Sequence, residues 1–199
     1  GEIMRTVLPY TVRQFSRAII MPNLISPITT INAAKVYRDA ILKALPRGHS
    51  FEPLMTVYFT DETKSNQLQQ GHEQGVFVGA KLYPAGVTTN STLGVTNMTK
   101  IQNCLEVMEK IGLPLLVHGE VVDASIDIFD REKVFIDKVL SPLLKDFPGL
   151  KVVFEHLSTA DGVEFILSSG SNIAATITAH HLMINRNAIF DGGIRPHMY

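Results

Sequence analysis

The sequence predicts an α/β fold: a (β/α)8 TIM-type barrel, incomplete because only six of its eight strands are present. Two observations indicate this fold. Short, continuously apolar runs alternate with amphipathic helical patterns, which is typical of parallel strands covered on both faces. Several of these runs also end in a polar residue, and in barrels the functional groups lie at the carboxyl ends of the strands.

The strands are predicted from the length of the apolar runs, their β-branched residues and the turn-forming residues on either side. In chain order they cover residues 17–21, 54–59, 76–82, 114–118, 151–157 and 173–177. Helical patterns fall between most of them, at residues 30–45, 97–111 and, more weakly, 61–73, 130–145 and 159–168. Pro46 and Gly112 are stop signals for the first two helices.

Alternating strands and helices imply parallel pairing with right-handed crossovers, which is compatible with an open doubly wound sheet or a barrel. A nucleotide-binding doubly wound sheet would carry a glycine-rich motif after its first strand, and residues 17–30 carry none. The barrel is therefore favoured, although a closed barrel has eight strands in about 250 residues. We expect residues 1–199 to form a single domain.

Composition restricts the function classes. The net charge of −1, without a block of like charges, argues against a nucleic-acid or membrane-surface partner. The single cysteine, Cys104, excludes an intrachain disulfide and is typical of a reducing compartment. No signal peptide or apolar membrane span is evident in the sequence, so a cytoplasmic location is expected.

Three predicted strands end in groups that can bind metal: Lys81, His118 and His156. Neutral imidazole is a common zinc ligand, and neighbouring strand ends can converge on one ion. Taken alone, each histidine could instead be a buried residue bonded to a backbone carbonyl. Two histidines and a lysine in equivalent positions favour a metal site.

Lys81 follows an apolar run, where burial lowers the pKa of an amine and makes it nucleophilic. It could form a Schiff base with a carbonyl substrate, or react with carbon dioxide to give a carbamate that bridges two metal ions. It could also extend its amine to the rim of the barrel without a chemical role. The carbamate is favoured because it accounts for the two histidines as well.

Further candidates lie in the loops. Asn23 could bind a substrate carboxylate or carbonyl, or be a turn residue after Pro22. Thr88 and Thr89 lie in a loop at residues 84–97 that is rich in glycine, threonine and asparagine and is predicted to be a mobile flap. A solvated turn and helix cap are expected at Asp123, Asp127 and Asp130. No role is assigned to His180, His181, Arg195 and His197.

The same segments resemble the bacterial-type dihydroorotases of the amidohydrolase superfamily. The resemblance is densest in Met-Pro-Asn-Leu at residues 21–24, Gly-Ala-Lys-Leu-Tyr-Pro-Ala at 79–85, Thr-Thr-Asn-Ser at 88–91, Pro-Leu-Leu-Val-His-Gly-Glu at 114–120, Asp-Ile-Phe-Asp-Arg-Glu at 127–132 and Val-Val-Phe-Glu-His at 152–156. One such motif would be weak evidence, whereas the ordered series is specific.

The resemblance implies a zinc enzyme that interconverts N-carbamoyl-L-aspartate and L-dihydroorotate in pyrimidine biosynthesis, as a homodimer with two Zn2+ per complete subunit. It implies that carboxylated Lys81 bridges both ions and that His118 and His156 bind the more exposed one. It further implies that Asn23 holds the substrate carboxylate, and that Thr88 and Thr89 belong to the loop that closes over the substrate.

The chain also departs from that family. The His-x-His-x-Arg motif of the family's first strand and the catalytic aspartate of its eighth strand are absent, so the six strands match the second to the seventh. We expect the 199 residues to be an excerpt of a longer polypeptide, inactive alone. A truncated, non-catalytic scaffold, or a barrel completed by another segment or subunit, is an alternative, as is an amidohydrolase for another cyclic amide.

Overall fold

The computed structural model describes residues 2–198 and contains one sheet of six parallel strands. The strands are β1 (Arg17–Ile20), β2 (Glu52–Phe59), β3 (Gly79–Leu82), β4 (Leu115–His118), β5 (Val152–Glu155) and β6 (Ile173–Ala175). They pair in the order of the chain, β1 to β6. A doubly wound sheet reverses its strand order, whereas a barrel does not. The predicted incomplete (β/α)8 barrel is therefore confirmed.

Helices follow most strands, as a parallel sheet requires. They are α1 (Glu2–Val12), α2 (Ile31–Lys43), α3 (Ser65–Glu73), α4 (Gln102–Ile111), α5 (Arg131–Phe135), α6 (Ser141–Asp146), α7 (Ala160–Ser168) and α8 (Ala179–Met183). Short 3-10 helices lie at Met98–Ile101, Ile128–Asp130, Arg186–Ile189 and Pro196–Met198. No helix within residues 2–198 is long and apolar enough to cross a membrane.

Several predicted boundaries were wrong. The helix predicted at 61–73 begins only at Ser65, because Asp61 accepts hydrogen bonds from the loop residue Thr96 instead. The strand predicted at 76–82 begins at Gly79, because the backbone amides of Val76 and Phe77 both donate to the Gly71 carbonyl at the end of α3. The helix predicted at 130–145 is interrupted by a π-helical segment between α5 and α6.

Helix α1 was not predicted. It contains Pro9, which lacks a backbone N–H, and β-branched residues that lower helix propensity. Only Leu8 and Val12 of this helix are buried, while Ile3 and Val7 are exposed.

The two outer strands are less well covered than the inner ones. All four residues of β3 are buried, whereas β1 alternates exposed and half-buried residues and β6 has no buried residue. Each outer strand pairs on one side only among residues 2–198. This difference in burial is what an open, partly curled barrel produces.

The core depends on a close contact between α3 and the segment that leads into β3. A Cβ on Gly71 would lie 2.0 Å from the ring of Phe77, a side chain that is only 1% exposed. Gly71→Ala is therefore expected to lower the free energy of unfolding by about 1–3 kcal/mol, since overpacking forces the ring to move. Urea denaturation would measure this, with exposed Gln70→Ala as the control, and equal stabilities would contradict the tight contact.

Candidate metal centre

Lys81 lies inside the sheet's concave face and is almost completely buried, with 2% of its surface exposed. It pairs with Tyr58 of β2 and Leu116 of β4, and its Nζ lies 5.2 Å from the centre of the Tyr83 ring. Burial lowers the pKa of Lys81 to about 8, although the nearby Glu155 carboxylate partly opposes this. An amine with this pKa is neutral far more often at pH 7 than an exposed lysine.

His118 ends β4, two residues after the position that pairs with Lys81, so both side chains point to the same face. The His118 ring lies edge-on to the His156 ring, with 4.7 Å between the ring centres. The Oε2 atom of Glu120 lies 3.5 Å from His118 Nε2. The structure thus brings together the three residues predicted as metal ligands.

His156 follows β5 in a left-handed backbone conformation with φ of 46°, which is uncommon for a residue other than glycine. Its backbone N–H donates to Thr176 Oγ1 at 2.7 Å, and this bond fixes the turn. Burial, the Lys81 ammonium and His118 together lower the pKa of His156 to about 4. Its imidazole is therefore neutral at pH 7, which is the form that binds metal.

Glu155 is a charged residue of this face that the sequence analysis missed. It pairs with His118 across the sheet, is 9% exposed and accepts a hydrogen bond from Thr176 Oγ1 at 2.5 Å. Its carboxylate raises the pKa of Lys81 and, after burial and Tyr58, that of Tyr83. A charged residue in an apolar run, the criterion that identified Lys81, would also have identified Glu155.

The chemistry of this cluster fits a metal site. Among residues 2–198, the buried side-chain nitrogens without a hydrogen-bond partner are Lys81 Nζ, His118 Nε2 and Arg131 Nε. Buried polar atoms without a partner are rare and call for an explanation, which a bound ion would supply for Lys81 Nζ and, beyond its 3.5 Å contact with Glu120, for His118 Nε2. No group of three His, Cys, Asp or Glu side chains able to hold a metal occurs in the described part of the chain. Two imidazoles are present, and a carbamate on Lys81 would add oxygen ligands.

The structure also brings Asn23 to the loop that carries Thr88 and Thr89. Asn23 Nδ2 donates to the Thr89 carbonyl at 3.3 Å, and Asn90 Nδ2 donates to the Asn23 carbonyl at 2.9 Å. The Tyr58 hydroxyl donates to the Asn90 carbonyl at 3.0 Å. The flap predicted from composition is therefore hydrogen-bonded at its tip in this structure. The Asn23 amide is used for this contact.

The base of the same loop is held by Asp61. Its carboxylate accepts from the Thr96 backbone and hydroxyl at 2.8 and 2.6 Å and from Lys100 Nζ at 2.7 Å. Although partial burial opposes it, these hydrogen bonds from Lys100 and Thr96 lower the pKa of Asp61 to about 2. The loop thus has a fixed base near β2 and a tip that rests on Asn23.

The other predicted residues lie outside this cluster. His180 and His181 belong to α8, and one nitrogen of each ring, His180 Nε2 and His181 Nδ1, lies within hydrogen-bond distance of Thr178 Oγ1. Arg195 and His197 lie on exposed chain near the C-terminus. Asp123 and Asp127 accept hydrogen bonds within their own turns, as expected for a solvated turn and cap. Cys104 is buried in α4, and burial raises the pKa of its thiol to about 11.

A parallel, barrel-type sheet with a buried lysine and two histidines at its strand ends has the arrangement expected of a metal-dependent hydrolase, and comparisons with known proteins identify the family. The chain belongs to the amidohydrolase family, whose profile matches residues 2–197. The resemblance to dihydroorotases is confirmed. The chain is 58% identical to the dihydroorotase of Cupriavidus pinatubonensis over all of its 199 residues.

Two solved structures agree with this assignment. The dihydroorotase of Campylobacter jejuni, at 38% identity, superposes with a TM-score of 0.89 over 99% of this chain and 56% of that one. The Saccharomyces cerevisiae dihydroorotase in complex with 5-fluoroorotic acid, at 31% identity, gives a TM-score of 0.84 over 94% of this chain and 55% of that one. The chain spans 58% of the length of the Cupriavidus relative.

Proposed function

We propose that the protein containing this chain is a zinc-dependent cyclic amidohydrolase, a dihydroorotase that interconverts N-carbamoyl-L-aspartate and L-dihydroorotate. The observation that carries the proposal is the cluster of buried Lys81 with His118 and His156, in a chain 58% identical to a dihydroorotase. A Schiff-base role for Lys81 is less favoured because it leaves the two adjacent imidazoles without a purpose.

Lys81, His118 and His156 would hold the metal, with two Zn2+ in a complete subunit. The neutral Lys81 amine attacks carbon dioxide, a C–N bond forms, and one proton leaves to solvent, which gives a carbamate. Burial supports this step because it increases the neutral fraction of the amine. His118 and His156 contribute neutral imidazoles, and bound zinc would polarise the ring carbonyl and lower the pKa of water.

Asn23, Thr88 and Thr89 would bind the substrate. An amide and two hydroxyls suit a ligand with a carboxylate and ring carbonyls, and the yeast relative was solved with 5-fluoroorotic acid, a ligand of that chemistry. One N–H of the Asn23 amide contacts the Thr89 carbonyl in this structure, which leaves its second N–H for the substrate.

Asn23→Ala is accordingly expected to raise KM for dihydroorotate by about 10-fold or more, because a charge-assisted hydrogen bond is worth roughly 1.5–3 kcal/mol. The zinc content should stay unchanged. Steady-state kinetics with exposed Asn66→Ala as the control would measure the effect. An unchanged KM would remove Asn23 from the substrate site.

Other properties follow the family assignment. We propose that residues 1–199 belong to one domain, that a strand-end aspartate outside this chain shuttles the proton, and that the protein is a homodimer. The single cysteine supports a cytoplasmic location. The chain's apolar residues exposed at β1 and after β6, such as Ile19 and Ile177, are consistent with further strands in the complete barrel.

The function is tested by assaying the full-length gene product with L-dihydroorotate, N-carbamoyl-L-aspartate and hydantoin as separate substrates. The proposal expects turnover of the first two and little of the third. Turnover of hydantoin alone would favour an amidohydrolase for another cyclic amide. The absence of both metal and turnover would favour a non-catalytic scaffold.

A further inference from the structure

Glu132 in α5 is a buried carboxylate that has no role in the function proposed above. It is 5% exposed, and each of its oxygens accepts two hydrogen bonds. Oε2 accepts from the backbone N–H and the hydroxyl of Ser158, at 3.0 and 2.9 Å. Oε1 accepts from the backbone N–H and the hydroxyl of Thr159, at 3.0 and 2.5 Å. All four hydrogen bonds thus come from two adjacent residues.

Those two residues belong to the turn that carries His156. The left-handed conformation of His156 is costly for a residue with a side chain and persists only when its surroundings impose it. Thr176 holds the start of the turn, because the amides of His156 and Leu157 donate to its hydroxyl and carbonyl at 2.7 and 2.9 Å. Glu132 holds the end of the turn at Ser158 and Thr159.

The hydrogen bonds from Ser158 and Thr159 to Glu132 are additional to those that begin α7. Thr159 already caps that helix, because its hydroxyl accepts from the Gly162 amide at 3.0 Å. The carboxylate also packs directly against Gly162, since a Cβ on Gly162 would lie 2.6 Å from Glu132 Oε1. None of the ion pairs found within residues 2–198 includes Glu132, and its carboxylate is held by the hydrogen bonds from this turn.

We infer that Glu132 is a positioning residue for His156: by holding Ser158 and Thr159 it sets the direction in which the His156 imidazole enters the metal site. The inference rests on the proposed role of His156 as a metal ligand. Residues that orient metal ligands commonly change metal affinity by about 10–100-fold when they are replaced. The hydrogen bonds of the Glu132 carboxylate are with Ser158 and Thr159, so it would act on the metal site through the turn.

The test is the metal affinity of Glu132→Gln in the full-length gene product. Glutamine keeps the shape, but its NH2 group faces a backbone N–H of Ser158 or Thr159, and two donors cannot bond. Chelator competition should show zinc or Co2+ bound about 10-fold more weakly, with a shifted visible spectrum of the Co2+ protein. Glu164→Gln, an exposed change on α7, is the matched control.

A second control separates positioning from stability. Ile41→Val lowers stability from a buried site in α2 and should leave metal affinity unchanged. Weaker binding in Glu132→Gln, but in neither control, supports the inference. Equal affinity in Glu132→Gln and wild type, or an equal loss in Ile41→Val, overturns it while the proposed function stands. A wild-type protein that binds no metal overturns the proposed function and this inference with it.

Discussion

Lys81→Ala in the full-length gene product is expected to lower kcat/KM for dihydroorotate by at least about 1000-fold, which corresponds to roughly 4 kcal/mol of transition-state stabilisation. Metal ions that polarise a carbonyl contribute several kcal/mol, and loss of Lys81 as the proposed bridging ligand would remove that contribution. Lys81 is buried, and its Nζ has no hydrogen-bond partner within residues 2–198, so alanine leaves a cavity next to the histidines. A short carboxylic acid such as propionate should enter this cavity and restore part of the activity.

Two further variants serve as controls for Lys81→Ala. Lys43→Ala removes an exposed lysine of α2 and should leave activity unchanged. Lys81→Met replaces the buried amine by an apolar chain of similar length, so it should be inactive yet at least as stable as wild type, because no unpaired amine is buried. Full activity in Lys81→Ala without added carboxylic acid would disprove the carbamate.

The second large effect is expected from His118→Ala and His156→Ala. Each variant of the full-length gene product should lose about one of two zinc ions per subunit and about 100–1000-fold in kcat/KM, since each imidazole would supply one ligand to the more exposed ion. Because burial lowers the pKa of His156 to about 4, its ligand form is already present at neutral pH. Emission spectrometry for zinc and steady-state kinetics measure both effects.

Exposed His49→Ala is the control for these two variants and should retain full zinc and activity. If either His118→Ala or His156→Ala kept wild-type zinc content, that residue would not be a ligand. Loss of zinc in one variant only would show that the 4.7 Å ring contact is packing rather than a shared ion site.

Local sequence patterns were sufficient for the order of strands and for the three clustered groups. Continuous apolar runs marked all six strands, because the strands of a parallel sheet covered on both faces are mostly apolar. Lys81, His118 and His156 were found because each interrupts or ends such a run. Parallel strands in register place Lys81 and His118 on one face, and the left-handed turn after β5 brings the His156 ring beside His118.

Interactions between distant segments could not be predicted in this way. The contact of Glu132 with Ser158 and Thr159 joins residues 26 and 27 positions apart, and in sequence Glu132 looks like an ordinary acidic residue in a first helical turn. The hydrogen bond from Tyr58 to Asn90 likewise depends on how the loop folds back. Helix α1 escaped prediction because Pro9 and the β-branched residues lower its helix propensity.

The most direct test of the account is the zinc content of the purified full-length protein, measured beside Lys81→Ala. The account predicts about two zinc ions per subunit in wild type and a large loss in the variant, since Lys81 would bridge both ions. A wild-type protein without zinc, or a Lys81→Ala variant that retains both ions, would contradict the metal centre built on Lys81, His118 and His156.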